Sequence, residues 1–376
     1  MRLVRAGQSY RLVARTMRVS LSTVAYWVRR AGEERLDRVD WSDQSHRPKR
    51  LARQHPLTMI QAVLRTRRWL RRFDALGDYG PAAIRDHLLA QGQPVPCERT
   101  IARWVTQAEP EVVKRRWPRP PRGWYLPSVA NASSELDRVD VVEGLRLSRR
   151  GRVEVLNCLS LWESLPRSHP AVRITTTETL HWLGLHWRKH GRPHYVQFDN
   201  DTIFSGAHAR RDYLGRLVHW CLCLGVTPVF APPLEKGFQA GIEAYNRRWQ
   251  ERVWQRWRHP SLSKLRERSA AFIDAYIGRR RRGTGMRRAW QEPARVPVSN
   301  QIILLRRLDE SGRLHLCSQH FQIARSWAQR LVRCEIDVNA QMVRCYRLSH
   351  RDPHYQTHIA KRKIKLRLVP WWKTPR

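Results

Sequence analysis

Three carboxylates stand out in a chain that holds 32 acidic residues against 71 lysines and arginines. Asp140 lies inside a predicted strand, Asp199 directly follows the apolar run YVQF, and Glu243 opens a predicted helix after a proline-broken loop. Strand ends and helix starts are places where side chains from separate elements converge. Three clustered acids repel one another unless they hold cations. Around two Mg²⁺ or Mn²⁺ ions, such a set activates water or a nucleic-acid 3′-hydroxyl for in-line attack on phosphate. Each acid also has an ordinary use: Asp199 as a turn residue, Glu243 as an acid favoured by the helix dipole, Asp140 as an exposed strand acid.

The elements that must position these acids read as α/β. From Leu136 onward, periodicity predicts strands at 139–142, 152–161 and 171–174, a helix at 176–190, a strand at 195–198, a helix at 210–224 and a strand at 227–230. A long helix from about Gly241 to Trp257 follows, with Ile242, Tyr245, Trp249 and Val253 as its apolar stripe. Lys236, Arg247, Arg248, Arg252 and Arg256 surround the third acid with positive charge, which either holds the DNA backbone, the favoured reading, or is simply solvated. Beyond the basic hinge RRRR (279–282), short strands at 302–305, 314–316, 333–337 and 342–347 predict a small β-barrel over 295–370, with 361–367 as an edge strand.

Two helical patterns precede this region. Leu12, Val13 and Met17 mark one helix, and after a turn Val24, Trp27 and Val28 face inward from a second, capped by Ser20 or Ser22. Ser22, Thr23, Tyr26, Arg29 and Arg30 lie on its outer face, the layout of a helix-turn-helix over 1–40. A second such unit over 57–108 has Leu57, Ile60, Val63 and Leu64 in its first helix, with Arg65, Arg67 and Arg68 on the opposite face. In it Ile84, Leu88 and Leu89 point inward, and Ile101, Trp104 and Val105 seat a helix exposing Arg99, Thr100 and Arg103. Residues 41–55 and the basic, proline-rich 109–135 read as linkers, the latter as a stiff spacer able to lie along phosphate.

A formal charge of +39 over 376 residues excludes most metabolic enzymes and makes double-stranded DNA the expected partner. A membrane is not expected, since the most apolar stretch, 218–234, is 17 residues long and contains His219 and three prolines. Seven cysteines without a C-x-x-C pair suit a reduced, cytoplasmic setting. His181, His186, His190 and His194 with Cys221 and Cys223 lack the spacing of a zinc module.

The blocks LDRVDVVEG (136–144), YVQFDNDTIFSG (195–206) and APPLEKGFQAGIEAYNRRWQERV (231–253) together resemble the core of integrase-type DDE transposases of bacterial insertion sequences and, more distantly, of retroviral integrases. Asp199 and Glu243 are separated by 43 residues, as in the longer bacterial branch. The resemblance implies a multidomain chain: all-α helix-turn-helix modules, a central ribonuclease-H-like α/β catalytic core over 136–285 and the small C-terminal β-barrel. It also implies that Asp140, Asp199 and Glu243 are catalytic and hold two Mg²⁺ or Mn²⁺ ions, with Asp137 and Asp201 as charge-supporting neighbours. The implied activity is cleavage of transposon-end DNA and joining of its 3′-hydroxyl to target DNA, by a homo-oligomer acting at the bacterial nucleoid. The chain departs from the family pattern at Ser160, Phe238 and Ala240, none of them a ligand position. A DNA-binding protein without catalysis, decayed or recruited, is the alternative of another class, and a nuclease without strand transfer is a third.

Overall fold

The computed structural model describes residues 1–42, 55–109, 121–148, 151–206, 212–233, 235, 237–279 and 286–373. They form two compact units, Met1–Leu57 and Thr58–Arg376.

The first unit holds α1 (Arg2–Arg5), α2 (Tyr10–Thr16) and α3 (Leu21–Ala31). The Ser9 and Ser20 hydroxyls accept the N–H groups of Leu12 and Thr23, at 3.4 and 3.1 Å, satisfying donors that the first helical turns leave open. Val13, Ala14 and Val24 form the core. Leu12 and Met17, expected to share that packing, are 50% and 60% exposed, because α2 is only seven residues long and its buried stripe runs through Val13 and Ala14. Trp27 and Val28 are only partly buried.

In the second unit, α4 (Leu57–Phe73), α5 (Pro81–Ala90) and α6 (Glu98–Ala108) pack around Val63, Leu70, Ile84, Leu88, Ile101 and Trp104. Pro81 occupies the first turn of α5, where its missing N–H costs nothing. Two expectations are corrected. Leu89 is half exposed, and Arg67 turns inward: its guanidinium donates to Glu109 at 2.8 Å and to the Tyr79 carbonyl at 2.8 Å and stacks on the Tyr79 ring.

After α7 (Pro127–Ala130), the chain builds one large mixed sheet. Antiparallel β1 (Leu136–Arg146), β2 (Arg152–Ser160) and β3 (Pro166–Ala171) are followed by α8 (Thr176–His190), β4 (Tyr195–Phe198), α9 (Thr202–Ser205), β5 (Tyr213–Leu214), α10 (Arg216–Cys223) and β6 (Thr227–Phe230). β4 runs parallel to β1 on the side away from β2, and β6 runs parallel to β4. The third strand was expected at 171–174 but precedes it. As the sheet's edge, it tolerates Pro166 and Pro170, whose missing donors would interrupt a central ladder.

Alternation along β1 sends successive side chains to opposite faces. Val139 joins Leu156, Cys158, Leu183, Trp187 and Trp220 beneath α8 and α10. Val142 joins Val153, Val155 and the stripe Ile242, Tyr245, Trp249 and Val253, carried by α11 (Ala240–Trp249) and the π-turn Gln250–Trp254. α12 (Leu262–Arg279) closes this second layer through Leu265 and Phe272. The stripe expected in the sequence is therefore core, although the single long helix is interrupted by the π-turn.

The C-terminal strands extend the same sheet. β7 (Gln301–Arg307) pairs parallel with β6, burying Ile303 and Leu304. The hairpin β8 (Arg313–Leu316) and β9 (Gln319–Gln322) stands apart, and β10 (Leu331–Asp337), β11 (Met342–Arg347) and β12 (His358–Lys363) continue from β7. The order is β12-β11-β10-β7-β6-β4-β1-β2-β3, and no ladder among the described residues closes the expected separate barrel. β12 forms one edge of the sheet and takes in only 361–363 of the expected 361–367 edge strand, while β13 (Arg367–Leu368) pairs with β5. No helix among the described residues is long and apolar enough to cross a membrane.

Candidate active site

Asp140 points from the middle of β1 toward the α11 face of the sheet. Its Oδ1 accepts the Val141 N–H at 3.0 Å, and its Oδ2 accepts the Asn246 amide at 2.6 Å. The Asn246 Oδ1 in turn accepts from Asn157 at 2.8 Å. Asn157 lies directly opposite Asp140 in the β1–β2 register, so two buried amides fix the carboxylate from its own sheet and from the helix above.

Asp199 follows β4. One of its oxygens accepts the Asp201 N–H at 3.0 Å, and Asp201 caps α9 by accepting the Ile203 N–H at 2.9 Å. Arg306 on β7 ties this strand end to its neighbour: it donates to the Asn200 carbonyl oxygen at 2.8 Å and to the Ala231 carbonyl at 3.2 Å. Asn200 itself donates to Ala231 at 2.7 Å. Glu243 sits exposed in the first turn of α11. Gln197 of β4 holds the approach to that helix by donating to the Phe238 carbonyl at 3.2 Å.

Asp140 senses the charges of the other two acids. Burial pushes the Asp140 carboxyl up to about 6, and the Asp199 charge adds to this; the Val141 N–H and Asn246 amide pull down, and the Glu243 charge pushes up again. Asp199 is also raised, first by burial, against the pull of the Asp201 N–H and with the charges of Asp201 and Glu143. Desolvated carboxylates whose proton affinity neighbouring acids raise further form a site in which added positive charge is favourable. All donors are carboxylate oxygens, which suit Mg²⁺ or Mn²⁺. The three do not lie within 4.8 Å of one another as a single coordination group, whereas two ions about 3.5–4 Å apart need ligands spread over both.

Asp201, its N–H on the Asp199 carboxylate, lies where a charge-supporting neighbour was expected, but Asp137 does not. It lies on the opposite face of β1, paired with Arg287 and accepting the Trp187 indole N–H at 2.8 Å. Glu143, exposed at the β1 bulge, takes the supporting place instead.

The basic residues expected near DNA divide. Arg247 is exposed one turn beyond Glu243, and Arg248 lies 5.7 Å over the Tyr276 ring. Lys236 lies outside the described residues. Arg252 and Arg256 are internal fasteners: Arg252 donates to the Gly77 carbonyl at 3.0 Å, and Arg256 to those of Asp74 and Arg72 at 3.1 and 3.3 Å. Ser22, Thr23, Tyr26 and Arg29 are exposed on α3, but Arg30 folds over Trp27 at 5.1 Å and pairs with Asp40 at 3.5 Å. On α6, Arg99 and Arg103 are exposed and Thr100 is half-buried.

No protein-family model matches the chain, and no curated protein matches it. Among solved structures, it is similar to a simian T-cell lymphotropic virus intasome in complex with the PP2A regulatory subunit B56 gamma, at 14% identity over 71% of this chain and 88% of that one, with a TM-score of 0.33. It is also similar to the catalytic core domain of BIV integrase, at 16% identity over 41% and 89%, with a TM-score of 0.28. At these values the reading of the site rests on the chain's own residues.

Those residues include several that motif reading missed. Asn157 and Asn246 are amides in a strand interior and a helix interior, where asparagine is disfavoured, and each lies on the apolar face of its element. That conflict between propensity and position is the available signal. Arg138 had none: two residues before Asp140 on the same face, its Nε is buried without a partner.

Proposed function

We propose that the chain is a DDE transposase with a ribonuclease-H-like core, cleaving the ends of its DNA element and joining the freed 3′-hydroxyl to target DNA. The observation that carries this reading is that Asp140, pushed up to about 6 first by burial, also feels the charges of Asp199 and Glu243, which stand on a neighbouring parallel strand and at a helix start. Asp140, Asp199 and Glu243 would hold the divalent cations. When bound, two Mg²⁺ or Mn²⁺ ions activate the attacking oxygen and stabilise the leaving oxygen of an in-line displacement. Asn246 keeps the Asp140 carboxylate aimed, the Asp201 N–H orients Asp199, and Arg247 presents a guanidinium to phosphate beside Glu243. The exposed faces of α3 and α6 would read element-end DNA, and synapsis of two ends would call for a homo-oligomer.

The test is Mg²⁺- or Mn²⁺-dependent cleavage and joining of the element's terminal DNA by the native chain and by Asp199→Asn. Joined products from the native chain alone, with binding retained by both, support the proposal. Cleaved ends without joined products leave a nuclease, and silence from both on DNA that they bind leaves a DNA-binding protein.

A further inference from the structure

Behind β1, on the face away from Asp140, Asp137, Cys158 and His186 form a second group of potential ligands. One atom from each lies within 4.8 Å of the other two, and all three residues are buried. Asp137 and Cys158 are diagonal neighbours on β1 and β2, and His186 comes down from α8. Both ring nitrogens of His186 are buried without a hydrogen-bond partner although the residue is 1% exposed. An unpartnered polar ring in a dry core is costly.

We propose that these three side chains bind one borderline-soft divalent cation of the zinc class. The donor set of thiolate, imidazole and carboxylate is that of zinc, whose bonds of about 2.0–2.3 Å require only a small inward movement of the donors. Asp137 is already oriented for such a role. Trp187 and Arg287 occupy three of its acceptor positions, as groups outside the coordination shell do for metal-bound carboxylates, and leave room for one more partner.

Ionising Cys158 on binding places one negative charge on the ion beside the Asp137 carboxylate, and its proton leaves to the buffer. The fourth corner of a tetrahedron falls to a small ligand such as water. The bound ion would fasten β1 and β2 to α8 directly beneath the strand that carries Asp140. This inference is independent of the transposase reading, since it uses none of the three acids on the other face.

The experiment uses untagged full-length chain. Metal analysis by mass spectrometry after dialysis is expected to find close to one zinc per chain. Cobalt substituted for it is expected to give a thiolate-to-cobalt charge-transfer band in the near ultraviolet. That band should vanish in Cys158→Ser, weaken at least tenfold in cobalt affinity in His186→Ala, and persist in Asp199→Asn. Where Cys158→Ser does not fold, the band in the native chain and its loss on thiol alkylation of the metal-stripped protein decide the question. A folded native chain with neither zinc nor a cobalt band, or a band that survives Cys158→Ser, overturns the proposal.

Discussion

Replacing Asp140 by asparagine is expected to stabilise the protein at alkaline pH in the absence of divalent ions, the opposite of what removal of an ordinary strand residue does. The Asp140 carboxyl is pushed from 3.8 up to about 6, so the folded state binds its proton more tightly than the unfolded chain. Stability therefore falls as pH rises from 3.8 through 6, by about 3 kcal/mol at roughly 1.4 kcal/mol per unit. Above pH 6 that penalty is fully present, and below 3.8 it is absent. Asparagine removes it. The substitution also disrupts one of two hydrogen bonds, since an amide that accepts from Asn246 turns its NH₂ toward the Val141 N–H, at a cost of about 1 kcal/mol. Urea unfolding in chelator should then show Asp140→Asn more stable than the native chain by about 2 kcal/mol at pH 8 and less stable by about 1 kcal/mol at pH 4. Mg²⁺ should narrow the difference at pH 8 by stabilising the native chain alone. A difference that is the same at both pH values, or a native chain more stable at pH 8 without metal, would refute the raised Asp140 carboxyl on which the site reading rests.

Further outcomes follow from the same geometry. Asn246→Ala strands the Asn157 amide and removes a donor from Asp140. It should cost about 1–3 kcal/mol in unfolding experiments and move the acid limb of any cleavage activity to higher pH. Glu243→Gln, at an exposed position, should leave unfolding in chelator within about 0.5 kcal/mol of native while reducing the stabilisation by Mg²⁺, read by thermal shift. Arg256→Ala should lower stability by about 1 kcal/mol and leave the salt dependence of DNA binding unchanged, because its guanidinium is engaged with the Asp74 and Arg72 carbonyls; Arg247→Ala should reduce the salt slope by about one.

What the sequence made legible follows the physical range of each signal. The stripe Ile242, Tyr245, Trp249 and Val253 was readable because helical periodicity is local, and all four are core. The Ser20 cap was readable for the same reason. The three acids read together as a constellation because three blocks occur in order, Asp199 at a strand end and Glu243 at a helix start beside the strand that carries Asp140. Asp137 was misassigned because spacing along a strand does not weigh alternation: three residues before Asp140 is the other face. The arginines were over-read as a group, since the sequence shows that Arg30, Arg67, Arg252 and Arg256 are cationic but not which carbonyls, acids or rings lie within reach. The join of β7 to β6 is a contact between segments more than 70 residues apart, and no local pattern announces it.

That join bears on truncation. Because the ladder runs unbroken from β12 to β3, the C-terminal strands serve the site as a cover for an otherwise open edge. A chain ending before Gln301 would expose the β6 flank with Val229 and Phe230, both buried in the intact protein, and would remove Arg306 from the Asn200 corner. An uncovered apolar edge of this kind templates pairing with other chains. A fragment trimmed to the three acidic blocks would therefore be prone to aggregate, and a nascent chain would carry the same sticky flank until its last strands emerged from the ribosome.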